Sequence, residues 1–377
     1  MRILQLLPTA PNDFSTGGSQ RGALMFDALS SSHEVDVAIV RQGAQDLVAS
    51  PGGDPVRVIT EWRPHFNEFG NVLPSEHVHR AIAELMASKP YDLVVSRFMM
   101  PLIKARINAG TPTLADIDDC RMRFSSGGSA AYALRQLPWR VRARAIETII
   151  RPMMSHRYHY CFATPRDREE FADFSGSVLP NIPLPLPAAP AAQSNGERIL
   201  LVAALGYGPN VRGIDRFIRA SWPRIMRQRP KSQLRLVGRA PESLQAKWGR
   251  VAGVHVAGFV PDLAHEYASS ALTICPIYEG VGSNIKILES FAYGRACVTT
   301  LHCARAFTDT LDPGKDIRFA ATDREFADAC IELLADRPQR DARAGAGQAV
   351  VRSKFTKERF TEIVHEAVGS ALRVSGK

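Results

Sequence analysis

The stretch ALTICPIYEGVGSNIKILESFAYGRACVTT (271–300) decides the fold. ALTICPI (271–277) and ACVTT (296–300) are apolar runs that read as buried strands. Between them a glycine-broken turn with Gly280, Gly282 and Ser283 opens into a short amphipathic helix. That helix begins with Lys286 and carries Glu289 one turn later. The turn therefore lies at the carboxyl end of a strand, which is where ligands bind in an open α/β sheet. Backbone N–H groups at the start of a helix lack partners and suit an anion. Lys286 in the first turn opposes the helix dipole at a cost of up to about 1 kcal/mol, and a bound phosphate would reverse that sign. The plainer alternative is a surface ion pair between Lys286 and Glu289, contributing roughly 0.2–0.5 kcal/mol.

Outward from this stretch, strand-like and helix-like segments alternate along the chain. RILQLLP, VDVAIV, DLVVS, TPTLADI and YCFAT read as strands in the first half. ILLVAAL, LRLVG and VHVAGFV do so in the second, with helices expected from about Ile214 and near Leu263–Ser270. The run VLPNIPLPLPAAPAAQSNGE (178–197) is rich in proline and reads as a semi-rigid linker. The expected organisation is a doubly wound domain over 1–182, a linker over 183–197 and a second doubly wound domain over 198–355. A final helix over 356–377 follows, capped by Thr356.

The 377 residues suffice for two domains of ordinary size, and 45% hydrophobic with 23% charged residues is typical of a soluble globular protein. No apolar run reaches the roughly 18–20 residues of a spanning helix. MRILQLLPTAPND has no small-residue cleavage site and reads as a first strand, so a cytoplasmic location is expected. The six cysteines show neither CxxC nor a paired spacing with histidine, the pattern of reduced core thiols. The net charge of +9 invites a nucleic-acid reading, but the basic residues are spread out and no nucleic-acid motif accompanies them; no such partner is expected. The densest basic cluster lies in 132–160. There Ile146, Ile149, Ile150 and Met153 recur at helical spacing beside Arg140, Arg142, Arg144, Arg151 and Arg157, and Pro152 divides the helix. A basic amphipathic helix can rest on an anionic membrane surface, such as the inner face of a bilayer, although a core-facing stripe is the commoner use.

In the first half, Gly17 and Gly18 separate the RILQLLP strand from a helix with an apolar face, and a glycine pair lets backbone approach a phosphate or sugar. Two halves that each aim a glycine turn at a shared cleft would enclose a ligand.

The order of the glycine pair, the linker, LVAALGYGPNVRGIDRFI, LRLVGR, VHVAGFVPDL and EGVGSNIKILESFAYGRACVTT resembles the GT-B glycosyltransferases of the retaining family 4 type. The resemblance covers nearly the whole chain and is most specific from Leu200 to Thr300. It implies two facing Rossmann-like domains with a C-terminal helix crossing back to the first. It also implies transfer of a sugar from a nucleotide diphosphate donor to a hydroxyl acceptor, without a cofactor or metal.

Residue by residue, Glu289 is similar to the glutamate that holds the donor ribose. Lys286 with the amides of Gly282, Ser283 and Asn284 matches the phosphate cradle. Arg212 falls where relatives place a lysine that neutralises the diphosphate, a role a guanidinium can fill through bidentate contacts. The partner arginine six residues earlier is here Gly206. Arg239, Val260 and Asp262 fall where the base is held. The first motif glutamate is displaced, since Val281 stands eight residues before Glu289 and Glu279 ten before it; Glu279 is the candidate for contact with the transferred sugar. Asp118, in ADIDDC, aligns with a position near the reacting centre, and its plainer reading is a cap or turn. Asp116-Ile117-Asp118 mimics a metal-binding D-x-D, here read as coincidence. Two other classes stay open: a nucleotide-sugar epimerase or hydrolase of the same fold, and a non-catalytic nucleotide-sugar-binding module.

Overall fold

The computed structural model describes residues 1–13, 17–42, 57–61, 75–108, 110–117, 151–184, 187, 194, 196–279, 284–304 and 306–376. The chain divides into two units. Unit 1 comprises Met1–Asn181 and Lys357–Lys377, and unit 2 comprises Ile182–Thr356. Most of the proline-rich segment expected as a linker over 183–197 lies outside the described residues.

Unit 1 is built on a seven-stranded sheet of β1 (Arg2–Leu7), β2 (Glu34–Gln42), β3 (Arg57–Glu61), β4 (Leu93–Arg97), β5 (Thr113–Ile117), β6 (His159–Phe162) and β7 (Gly176–Val178). Its order is β3-β2-β1-β4-β5-β6-β7. Every pairing is parallel. The central strands are near-continuous apolar runs because helices cover both of their faces. Even-numbered residues of β1, Leu4 and Leu6, join Val94, Ala115 and Tyr160 in one core. Odd-numbered Leu7 joins Val37 and Ile39 on the other face.

Unit 2 has a six-stranded sheet of β8 (Arg198–Val202), β9 (Gln233–Val237), β10 (Val254–Gly258), β11 (Leu272–Cys275), β12 (Cys297–Thr300) and β13 (Arg318–Ala320). Its order is β10-β9-β8-β11-β12-β13, again all parallel. Each order reverses direction once, beside β1 in one sheet and beside β8 in the other, and the strand ends there are the ligand-binding edge of a doubly wound fold. The core of unit 2 gathers Leu234, Leu236, Ile274, Val298, Trp222, Trp248 and Phe326. The α/β architecture expected from the sequence is therefore present twice.

The helix Lys357–Ser375 returns to unit 1, as expected. It buries Phe360, Val364, Ala367, Val368 and Ala371, a stripe at helical spacing. It packs against the helix Gly17–Ser30 and against β5, β6 and β7. Lys357 Nζ reaches Asp27 Oδ2 at 2.9 Å, and His365 Nε2 lies 2.9 Å from Ala28 O.

Two expectations about helices change. The helix placed from about Ile214 begins at Gly208, because Pro209 sits in its first turn, where its missing N–H costs nothing and its fixed φ suits a helix. The amphipathic helix read through 132–160 does not continue to 160. Arg151–Met153 form a single 3-10 turn, and His159–Phe162 are β6. Pro152 and the Ser155 and Tyr158 turn bonds end helical geometry there. Residues 132–150 lie outside the described residues. Arg151 is spent within the protein, pairing with Asp173 at 2.7 Å and lying over the rings of Phe171 and Phe174.

Candidate functional site

The candidate site of unit 2 starts from β11. Its four residues are buried, and the chain leaves the strand through Pro276, Ile277, Tyr278 and Glu279. The helix Gly208–Arg216 lies directly on this exit. A Cβ on Gly213 would stand 2.1 Å from the Pro276 carbonyl oxygen, so only glycine lets helix and loop touch. That contact brings Arg212 to Glu279, with Arg212 Nε donating to Glu279 Oε1. Two residues 67 apart in sequence are thus partners at one strand end.

Asn210, on the same helix, is buried; its Nδ2 donates to Ala204 O at 2.8 Å, which fixes the carboxamide. Its free end turns its Oδ1 toward Lys286, whose Nζ lies 3.5 Å from Asn210 Oδ1 and 3.4 Å from Asn284 Oδ1. Asn284 has φ of 48°, in the left-handed region that asparagine tolerates better than most residues. Among the described residues no carboxylate pairs with Lys286: its neighbours are two amide oxygens at long range. The ammonium is positioned yet not neutralised.

Glu289 follows one turn along the helix Lys286–Ala292. The surface ion pair with Lys286 is not formed; Glu289 lies against the hydroxyl of Tyr267, a fully buried residue whose ring stacks on Tyr293 at 4.2 Å and 4°. Burial pushes the Glu289 carboxyl up to about 7, against the lowering effects of the Tyr267 hydrogen bond and the Lys286 charge. A carboxylate held this way gains from any ligand hydroxyl that donates to it.

The neighbouring strand ends complete the edge. Gly238 has φ of 137°, and a Cβ there would fall 1.8 Å from Ala203 O, so β9 can turn beside β8 only at glycine. The turn delivers Arg239, an exposed residue whose guanidinium lies 4.9 Å from the centre of the Phe259 ring. Phe259 is 62% exposed, the most exposed large hydrophobic side chain in unit 2 among the described residues. Val260 packs against Leu200, Val237, Tyr267 and Tyr293, linking this loop to the support of Glu289. Asp262 Oδ1 accepts from Ala264 N at 2.9 Å, an Asx turn leading into the short helix Ala264–Ala268.

Unit 1 presents a different arrangement. Gly17 and Gly18 begin the helix Gly17–Ser30, and Arg97 Nε donates to Gly18 O at 3.3 Å. Sequence reasoning missed what lies beside them. Arg21 makes bonds of 2.6–3.0 Å to both oxygens of Asp116 and donates to Asn181 at 3.0 Å; Arg97 reaches Asp116 Oδ2 at 3.0 Å from the other side. All three are buried. The signal was available, as charged residues ending the apolar strand runs LVVSR and TLADI. Asp116 is thereby committed to two guanidinium groups. Asp118, Gly282 and Ser283 lie outside the described residues, as do Gly280 and Val281. The structure thus brings together Arg212, Glu279, Asn284, Lys286 and Glu289 on unit 2, with Arg239, Val260 and Asp262 at adjacent strand ends.

The comparisons with known proteins bear on the family and the fold. Residues 196–336 match the family described as glycosyl transferases group 1. Sucrose-phosphate synthase from Thermosynechococcus elongatus superposes with a TM-score of 0.71 at 15% identity, covering 97% of this chain and 98% of that one. HepE from Anabaena, solved in complex with UDP and glucose, gives 0.67 at 14% identity over 98% of this chain and 100% of its own. WaaG, a glycosyltransferase involved in lipopolysaccharide biosynthesis, gives 0.62 at 15% identity over 97% and 98%. No curated protein sequence matches. Unit 2 therefore carries a glycosyl transferases group 1 domain, and the chain as a whole has the GT-B fold of those enzymes. Its class is glycosyltransferase.

Proposed function

We propose that this protein moves a sugar from a nucleoside diphosphate donor held by unit 2 to a hydroxyl acceptor. The observation that carries the reading is Lys286: a fixed ammonium with no carboxylate partner among the described residues, one turn from a carboxylate whose pKa is raised to about 7. Lys286 takes donor phosphate oxygens, and Glu289 accepts from ribose hydroxyls. Arg212 exchanges Glu279 for the diphosphate as negative charge builds on the departing group, a stabilisation suited to a guanidinium. Arg239 and Val260 border the base. The anomeric C–O bond to the β-phosphate breaks, the acceptor oxygen bonds to the anomeric carbon, and the acceptor proton passes to the leaving phosphate, with retained configuration and without a metal.

HepE was solved with UDP, with UDP-glucose, and with UDP and glucose, so UDP is the first nucleotide to try here. Calorimetric titration with UDP and GDP, followed by assay of UDP-glucose hydrolysis, tests the reading. Failure of both nucleotides to bind would sink it, and binding without turnover would favour the non-catalytic module. The reading includes a cytoplasmic location and a peripheral contact with anionic lipid through residues 132–160. Among the described residues no helix is long and apolar enough to cross a membrane. Co-sedimentation with anionic and neutral vesicles checks the contact.

A further inference from the structure

Tyr278 stands one residue before Glu279 and is held on two sides. Its hydroxyl donates to Asp323 Oδ1 at 2.9 Å, at the start of the helix Asp323–Ala335. The Arg216 guanidinium covers its ring, 3.9 Å from the centroid, while Arg216 Nε donates to the same carboxylate at 2.8 and 3.1 Å. Arg216 lies one turn beyond Arg212 on the helix Gly208–Arg216. One helix therefore offers successive arginines to successive loop residues, Arg212 to Glu279 and Arg216 to Tyr278. Two chain segments far apart in sequence converge on the loop at its last described residues. Ser221 Oγ, donating to Asp323 O at 2.9 Å, ties the anchor back to the turn that follows that helix.

We propose that Tyr278, Asp323 and Arg216 form a positioning clamp for the transfer, holding the 278–279 backbone so that Glu279 and Arg212 keep a fixed relation to the donor. This rests on the donor-site reading above for its catalytic consequence, but not for its structural one. None of the three residues reaches Lys286 or Glu289 in any contact among the described residues, so the clamp acts on alignment and not on nucleotide grip. Burial and the Asp323 contact hold the phenol well above its ordinary pKa, so the hydroxyl stays a donor at every working pH. The arrangement also leaves the guanidinium over the ring, a contact that survives loss of the hydroxyl.

The test uses the full chain with Tyr278→Phe and Asp323→Asn. Amide exchange in peptides spanning Ile277–Lys286 is expected to speed by about tenfold in both variants, with peptides from β8 to β10 unchanged. UDP affinity by calorimetry is expected to stay within twofold, while UDP-glucose turnover falls about five- to twentyfold through kcat. Arg216→Lys, which keeps the charge and loses the guanidinium, should fall between wild type and Tyr278→Phe. Unchanged loop exchange in both substitutions overturns the clamp whatever the donor proves to be. Turnover and UDP affinity falling in parallel also overturns it, by making the cluster part of nucleotide binding. Failure of the wild-type protein to bind UDP or GDP strikes the donor-site reading instead, and the exchange result still decides the clamp.

Discussion

The Arg21–Asp116–Arg97 cluster of unit 1 and the Lys286–Glu289 region of unit 2 both place charge at the carboxyl ends of parallel strands, yet they are finished in opposite ways. In unit 1 the carboxylate is shared by two guanidinium groups, and Asn181 and Gly18 take further N–H donors. In unit 2, among the described residues, the ammonium makes its hydrogen bonds to amide oxygens alone, and the carboxylate is held in surroundings that disfavour its charge. In the first arrangement the buried carboxylate is balanced by the protein's own cations. The second is left for a ligand to complete, and the difference separates charge that holds a fold together from charge kept available for binding.

The sharpest way to break this contrast is Asp116→Ala. It would strand two buried guanidinium groups and is expected to destabilise the protein by about 3–5 kcal/mol, read as a large drop in urea midpoint. A change below about 1 kcal/mol would mean that the unit 1 cluster is not the closed structural network described here. Lys286→Ala should do the reverse, leaving stability within about 1 kcal/mol because no carboxylate among the described residues is left without its ion-pair partner. UDP affinity should fall about 100-fold, near 2.7 kcal/mol. Loss of stability with retained affinity would erase the distinction between the two regions.

Glu289→Gln comes next. Because the folded carboxyl titrates near 7 while its ordinary value is 4.5, the native state keeps a proton the unfolded chain has already lost. Stability contributed by this group is therefore full below about pH 4.5, falls as pH rises through that window, and is lowest above about 7. The glutamine variant should be more stable at pH 8 by about 2–3 kcal/mol, with the gain vanishing near pH 4.5. It should also bind UDP about tenfold more weakly, and wild-type affinity should rise with pH through about 7. A pH-independent stability difference would show that the carboxyl is not desolvated. The smallest expected effect is Asp262→Ala, which removes one side-chain-to-backbone turn bond worth about 1 kcal/mol. UDP affinity should change less than threefold, and a larger loss would move Asp262 from a turn role to contact with the base.

The central strands were readable from sequence because each is an apolar run buried on both faces, and these runs place both sheets. The edge strands β3, β7 and β13 were not, since RVITE, GSV and RFA are short or polar and owe their geometry to one neighbour each. The helix Gly208–Arg216 starts earlier than its apolar periodicity because GPNVRG carries no hydrophobic stripe. Lys286 and Glu289 stood out locally, as a cation at the wrong end of a helix and an acid one turn on. The Arg212–Glu279 and Arg21–Asp116 pairs did not. They depend on where distant segments meet, and in the first case on a single glycine, Gly213, whose missing side chain sets the approach. Tyr278 was hidden for the same reason, with Asp323 45 residues away.

The helix Lys357–Ser375 gives unit 1 a particular history during synthesis. Its first segment ends at Asn181, and its closing helix is made only after the whole of unit 2. Until then the surface of Gly17–Ser30 and of β5 to β7 that the helix covers stays open to water. A nascent chain therefore completes unit 2 before its first unit has a finished core, and it spends that interval with an apolar sheet face exposed. A truncation directly after Thr356 leaves the protein permanently in that condition, prone to association through the uncovered face even though unit 2 retains all of its own sequence.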